Sequence, residues 1–372
     1  MILRSKLVAV IDHKATLMDE KDFWRNEKVA FLALATVKGV GFWTIHKIAQ
    51  ARLGFKDLLK EPEVAGLAKP FIDAGVEGVE GQEQLWAVGL AEARRLASDG
   101  ITLLFKDEPG FPAKLRNIPD APEWIFVQGS LENLRKPAVA IVGTRKPSED
   151  GLFLTRFAVA ALSRSQIVTV SGLALGIDQI AHSESIRYQI PTIAVLGTGI
   201  LQDYPKGSEK LRSEILMAGG TVITEYLPSQ SYSAENFVRR NRLQAALGDV
   251  LVPAEWKVKS GTAHTVKFAH NYGKRIVNLC LPDISASSPE IAFSQENYGA
   301  TTLTVPFDVQ ALVAIAQLIK TAVEPSSSLV SSSPVTGPSS TRQAPSDPQD
   351  PPTAEPDLLS PGEFDSRQLP LI

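Results

Sequence analysis

The chain has a single cysteine, Cys280, in 372 residues. No intramolecular disulfide can form, a cysteine-based metal centre is not expected, and a reducing, cytoplasmic setting is expected. No run approaches the roughly 20 apolar residues that a membrane span needs, so no membrane association is expected. The short apolar run Leu7–Ile11 is followed by charged residues rather than a small-residue cleavage site, so it does not read as a signal peptide. A full dinucleotide fingerprint is also missing. Gly143 is followed by Arg145 and Pro147 where further glycines would stand, which counts against NAD. No cofactor and no metal are expected.

What is present suits an ordinary globular protein, with 44% apolar and 21% charged residues. The length fits two domains and a tail. The net charge of −3 is unevenly spread. Residues 324–372 hold seven acids and two bases, a net of −5, which leaves +2 on the rest. A mildly basic body permits a polyanionic partner without demanding one. The tail is rich in Ser and Pro and cannot bury enough apolar area to offset its ordering entropy, so disorder is expected over 323–372. Its apolar end, Gln368–Ile372, reads as a frayed terminus or a short docking peptide.

Six apolar, β-branched-rich runs begin near 138, 167, 192, 221, 249 and 275, at spacings of 25 to 29 residues. The stretches between them, such as Leu152–Ser163 and Ile177–Tyr188, are amphipathic. Buried strands with helix-sized crossovers describe an α/β, Rossmann-like, doubly wound and mostly parallel sheet over 99–322. A Pro-punctuated lead-in, Phe111–Pro122, and a strand at Trp124–Val127 precede it. Residues 1–98 form a helical domain in this reading. Within it, Val37–Ile48 has apolar–Gly–apolar–Gly between helical patterns, either a helix-hairpin-helix-like (SAM-like) element or a plain turn between core helices.

Several junctions carry anion-site composition. The runs at Val139–Val142 and Val168–Val170 end in Gly143-Thr144-Arg145 and Ser171-Gly172, and Gly197-Thr198-Gly199 repeats the theme. In parallel α/β sheets such turns are where backbone amides meet phosphate, and Arg grips phosphate with two donors. Asp178 and His182 lie four apart on one helix face and read as a structural pair rather than an acid–base couple. Phe237, Arg239, Arg240, Asn241 and Arg242 suit a sugar-phosphate chain with a stacked base. Lys257, Lys259, Ser260 and Gly261 open another helix with bases and small residues.

The ordered set Val139–Arg145, Val170–His182, Thr192–Gly199, Tyr204-Pro205, Thr224–Tyr226, Asn236–Arg242, Ser260–Thr262 and Tyr272–Ile276 resembles the DprA (Smf) DNA-processing proteins, from about Phe111 to Phe307. The resemblance implies a Rossmann-like core, related to the LOG-like nucleotide-binding superfamily, that binds single-stranded DNA without enzymatic activity. It implies protection of incoming DNA, contact with the recombinase RecA and help in loading it, a role in natural transformation, and a homodimer formed through the core. Carried over by motif, Arg145, Ser171, Gly172, Phe237, Arg240, Asn241, Arg242 and Lys259 face the DNA. Gly143, Thr144, Gly197, Arg239, Ser260 and Gly261 complete the expected site. Val238 departs from the usual proline, Leu201 from a frequent Asp, and no winged-helix domain follows the core.

Two other readings stand beside this one. A phosphoribohydrolase of nucleoside monophosphates would need a glutamate where Thr265 stands, with Glu225 or Glu255 as substitutes. A sensor would bind a free nucleotide along the same anion track.

Overall fold

The computed structural model describes residues 20–282 and 288–315, apart from 309 and 312. The expectations for Leu7–Ile11, for the tail from 323 and for Gln368–Ile372 lie outside the described residues.

The first part is helical, with α1 over residues 20–36, α2 at Phe42–Gln50, α3 at Phe55–Leu58, α4 at Ala68–Ala74 and α5 at Gly78–Ser98. Then come β1 (Ile101–Phe105), the short α6 (Ala113–Arg116) and β2 (Trp124–Gly129). Six strand–helix repeats follow. They are β3 (Ala138–Gly143), α7 (Glu149–Ala161), β4 (Val168–Ser171), α8 (Ile177–Arg187), β5 (Thr192–Val195), α9 (Glu209–Met217), β6 (Thr221–Thr224), α10 (Ala234–Leu247), β7 (Val250–Glu255), α11 (Gly261–Asn271), β8 (Arg275–Cys280) and α12 (Pro289–Tyr298). The last strand is β9 (Thr301–Thr304). Each of the six apolar runs is a strand.

One nine-stranded sheet results, in the order β1-β2-β6-β5-β4-β3-β7-β8-β9. The stretch from β6 to β9 is parallel, while β2 pairs antiparallel with both β1 and β6. The chain winds outward from β3 to β6, then crosses back to β7, so the winding reverses between β3 and β7. β3 shows why such strands read as continuous apolar runs. Ala138, Ala140 and Val142 join the core under α10 and α11, and Val139 and Ile141 join the core under α7 and α8. Both faces are covered, so alternation is erased.

The helical part packs on the antiparallel end of the sheet. Phe31 of α1 lies edge-on to Phe105 and Trp124, and Phe42 of α2 to Trp124. These rings share one core with Leu103, Phe126 and Tyr226. Burying each large aromatic contributes about 2–3 kcal/mol, so the helices are held by this shared core rather than by their own propensity. Val37–Ile48 turns through Gly39, at φ +89°, and buries Val40, Phe42 and Ile45.

Candidate nucleic-acid interface

Strands β3, β4 and β5 end side by side, and the three small-residue turns line up along the carboxyl edge of the sheet. The β3/β7 crevice, where a doubly wound fold seats a dinucleotide phosphate, is filled by protein. Glu255 Oε2 accepts from Ser148 N at 2.8 Å and Ser148 Oγ at 3.2 Å, and Glu255 O accepts from Thr144 N at 2.7 Å. A Cβ on Gly143 would lie 2.6 Å from Ile177 and 2.7 Å from Glu255 O. Gly143 is therefore small so that α8 and β7 can close on it. The expectation that its turn makes room for an anion is corrected on this point, and Thr144 N–H is likewise spent inside the protein.

The β4 turn is braced from both sides. Gly172 N donates to Asp178 Oδ2 at 3.1 Å, and Arg240 Nη1 donates to Gly172 O at 2.6 Å and to Val195 O. Arg240 thus satisfies two carbonyls that parallel strands leave orphaned at their ends, and its charge faces Asp178. Burial raises the Asp178 pKa, with Arg240 opposing, and burial lowers that of Arg240. Ser171 is buried and its Oγ donates to Ile141 O at 2.6 Å. Asn241 Oδ1 accepts from Arg240 Nε at 3.3 Å, and its Nδ2 donates to Gly261 O at 3.0 Å.

The expectation that all of these side chains face DNA is therefore corrected. Arg242 is 2% exposed and donates from Nη2 to Glu225 Oε2 at 2.5 Å, with Asp120 at 3.5 Å. Ser171, Arg240, Asn241 and Arg242 build the floor. Gly172 stays at the surface of the slot with its amide already used. The cause is angular: successive helix residues turn by about 100°, so neighbours in one Arg run point to different partners. Arg239 shows it most clearly. Its guanidinium lies 4.7 Å from the Trp43 ring centre and 5.6 Å from that of Phe42, donates to His46 Nε2 at 3.2 Å, and pairs with Glu225 at 3.5 Å. Arg239 fastens α10 to α2 instead of reaching solvent. Burial and the Arg239 charge lower the His46 pKa, which fits a neutral, accepting imidazole.

Asp178 and His182 do not pair with each other. His182 Nδ1 meets Thr192 Oγ1 at 2.8 Å, and burial pushes its pKa down to about 3. A buried imidazole that stays neutral has no acid–base use at the surface.

What remains exposed at the edge is a short aromatic step beside a free cation. Phe237, on the first turn of α10, packs closely against Gly197, whose Cβ, if present, would sit 2.4 Å from the ring. Arg145 is exposed, has no ion-pair partner among the described residues, and holds its guanidinium 5.5 Å from the Phe237 centroid. Tyr204 lies 5.0 Å from Phe237, and Tyr232, 58% exposed, lies 4.5 Å from Tyr204. Among the described residues the N–H groups of Gly197 and Thr198 have no partner, and the buried Thr198 Oγ1 has none either. Arg145, Gly172, Leu175, Gly197, Tyr204 and Phe237 enclose a slot of about 40 Å3. That holds about one or two waters, far below the roughly 300 Å3 a small-molecule site needs. Lys259 is exposed at the neighbouring turn, with Ser260 and Gly261 opening α11, and Ser260 Oγ donates to Lys257 O at 2.6 Å.

The slot thus gathers Arg145, Gly172, Gly197 and Phe237 over Arg240, with Lys259, Ser260 and Gly261 beside it. Tyr204, Tyr232 and Thr198 were not assigned a site role from sequence. Tyr204 stood within a quoted motif, and Tyr232 follows a Ser-rich loop with no pattern to mark it.

A family model, DNA recombination-mediator protein A, matches residues 102–310, more than half of the chain. The chain belongs to this family. Among relatives of DNA recombination-mediator protein A, protein Smf of Synechocystis sp. is 32% identical over 284 residues, 75% of this chain and 68% of that protein. DNA processing protein DprA of Streptococcus pneumoniae is 36% identical over 166 residues, 45% of this chain and 58% of that protein. The X-ray structure of the Streptococcus pneumoniae DprA superposes with a TM-score of 0.57 at 25% identity, covering 77% of this chain and 97% of that one. The Helicobacter pylori protein, whose structure is described for its single-stranded DNA binding mode, gives a TM-score of 0.51 at 28% identity, over 59% of this chain and 96% of that one.

Proposed function

We propose that this member of the DNA recombination-mediator protein A family binds single-stranded DNA along the carboxyl edge of its sheet, without catalysing a reaction. The observation that carries the proposal is the unpaired, exposed Arg145 set over Phe237, with Tyr204 and Tyr232 extending the aromatic step. A cation for phosphate and rings for bases are the two elements of a sequence-tolerant single-strand site. The slot is too thin to enclose a mononucleotide, which favours a polymer laid across it over a free-nucleotide sensor. The Helicobacter pylori relative, named for single-stranded DNA binding, supports the same reading.

In this proposal Arg145 grips a phosphate, the amides of Gly197 and Thr198 offer a second anchor, and Phe237 and Tyr232 stack bases. Lys259, Ser260 and Gly261 take a further phosphate. The hydrolase reading finds no support in the carboxylates considered for it. Glu255 is engaged by Ser148, and Glu225 is buried against Arg242. Family resemblance further motivates RecA as a partner, protection of DNA, a role in transformation and a homodimer. The helical part at 1–98 and the core at 99–322 are proposed as two functional units, joined by their shared aromatic core and by Arg239.

A salt-dependent binding comparison tests this. Wild type should prefer an oligo(dT) strand over duplex, with affinity falling steeply as salt rises. Equal affinity for both, or unchanged binding by Arg145→Ala, would sink the proposed site.

A further inference from the structure

Two stretches singled out in the sequence have no part in this path: the Pro-punctuated Phe111–Pro122 and Tyr272–Ile276. They meet at the opposite, amino edge of the sheet. There they line a cleft of about 860 Å3 with Lys114, Arg135, Lys274, Tyr272, Phe111 and Ile118 on its walls. A strand of six residues, about 20 Å, separates this edge from the carboxyl slot.

The charges in the cleft are unequal in kind. Lys114 Nζ donates to Lys136 O at 2.7 Å, Leu247 O at 3.1 Å and Asp249 Oδ2 at 2.5 Å. Asp249 Oδ2 also accepts from Ala138 N at 2.9 Å. Lys114 and Asp249 therefore neutralise each other and tie the starts of β3 and β7 together. The side chain of Lys274, just before β8, has no hydrogen bond or ion pair among the described residues, although the residue is half-buried. Burial lowers its pKa, Asp249 opposes that, and Lys114 adds a smaller push downward. A partly desolvated ammonium whose nearest carboxylate, Asp249, is already held by Lys114 is a costly arrangement that a bound anion would relieve. Arg135 touches Glu132 at 3.3 Å and Gly110 O at 3.2 Å and keeps further N–H groups to offer. Tyr272 is locked by donating to Asp120 Oδ1 at 2.5 Å, which fixes its ring as a wall.

We propose that this cleft binds a small phosphorylated molecule bearing a flat ring, of the nucleotide class. Lys274 and Arg135 take the phosphate, and Tyr272, Phe111 and Ile118 take the ring. The volume lies within the roughly 300–1,000 Å3 of small-ligand sites, where the carboxyl slot does not. The site is independent of the one assigned to DNA.

The test is a calorimetric titration of the full chain with AMP and, separately, with pyrophosphate. Wild type and Arg145→Ala should bind AMP alike, and Lys274→Met should bind it at least about tenfold more weakly. Lys274→Met should keep its melting temperature and its oligonucleotide affinity. Pyrophosphate, lacking the ring, should bind more weakly than AMP. No AMP binding by wild type up to about 5 mM would overturn the proposal. So would wild-type affinity in Lys274→Met, or loss of AMP binding in Arg145→Ala. Equal binding of pyrophosphate and AMP would remove the ring from the assignment. If Lys274→Met fails to fold, Arg135→Gln is read by the same criteria.

Discussion

The two edges of one sheet use their cations by the same division and to different ends. At the carboxyl edge, Arg240 is buried to hold the ends of β4 and β5, and Arg145 is left outside. At the amino edge, Lys114 is spent on Asp249, and Lys274 is left. In each case one cation makes the edge and its neighbour is free to meet a ligand. The shapes then diverge. A thin slot beside a step of rings suits a chain that passes over it, and a roomier cleft suits a molecule that sits in it.

Removing the builder should differ sharply from removing the reader. Arg240→Met deprives two strand ends and Asp178 of their partner, and should cost about 3–5 kcal/mol in urea unfolding. Arg145→Ala should leave stability within about 0.5 kcal/mol. Comparable losses in both would erase the distinction.

The next effect concerns the buried layer beneath the slot. His182 is held neutral when folded, with its pKa near 3, while an unfolded imidazole titrates near 6.5. Its contribution is complete above about pH 6.5 and is lost as pH falls towards 3, because only the unfolded chain takes up the proton. The loss should reach about 2 kcal/mol at pH 5. The raised pKa of Asp178 works in the opposite sense, so the measure is the difference between wild type and His182→Asn. Parallel curves of stability against pH would rule out His182 as the source.

Binding effects come third. Tyr232→Ala should weaken oligo(dT) binding by about 1–3 kcal/mol while leaving an abasic strand unaffected. Arg145→Ala should weaken both strands and lower the salt slope by about one. A Tyr232 effect of equal size on the abasic strand would mean the ring does not stack on bases. Smallest is Lys259→Ala, an exposed phosphate contact, expected to cost only severalfold and to do so equally for every sequence.

The parallel core was legible because strands buried on both faces leave unbroken apolar runs at crossover spacing. β1 did not stand out because it lies outside that repeat, and β9 because its threonines, at Thr301, Thr302 and Thr304, leave no apolar run to read. The site was legible in part. Arg145 and Phe237 do stand together at the carboxyl edge, where a lone Arg after a strand-end turn and an aromatic at a helix start are expected to reach it. Arg240, Asn241 and Arg242 were placed outside because closeness in sequence was read as a shared face, and a helix turns each residue towards a different neighbour. Tyr204 and Tyr232 reach the step from separate loops, and only the fold brings them to Phe237.

Arg239 and Phe237 stand on the same turn of α10, one clasped by Trp43 and the other lying on Gly197. Trp43 is 47% exposed, so it can be pressed from outside. A load applied there reaches the aromatic step through one rigid helical turn. The helical layer is thus a handle as well as a cover, and whatever grasps it also has purchase on the aromatic step.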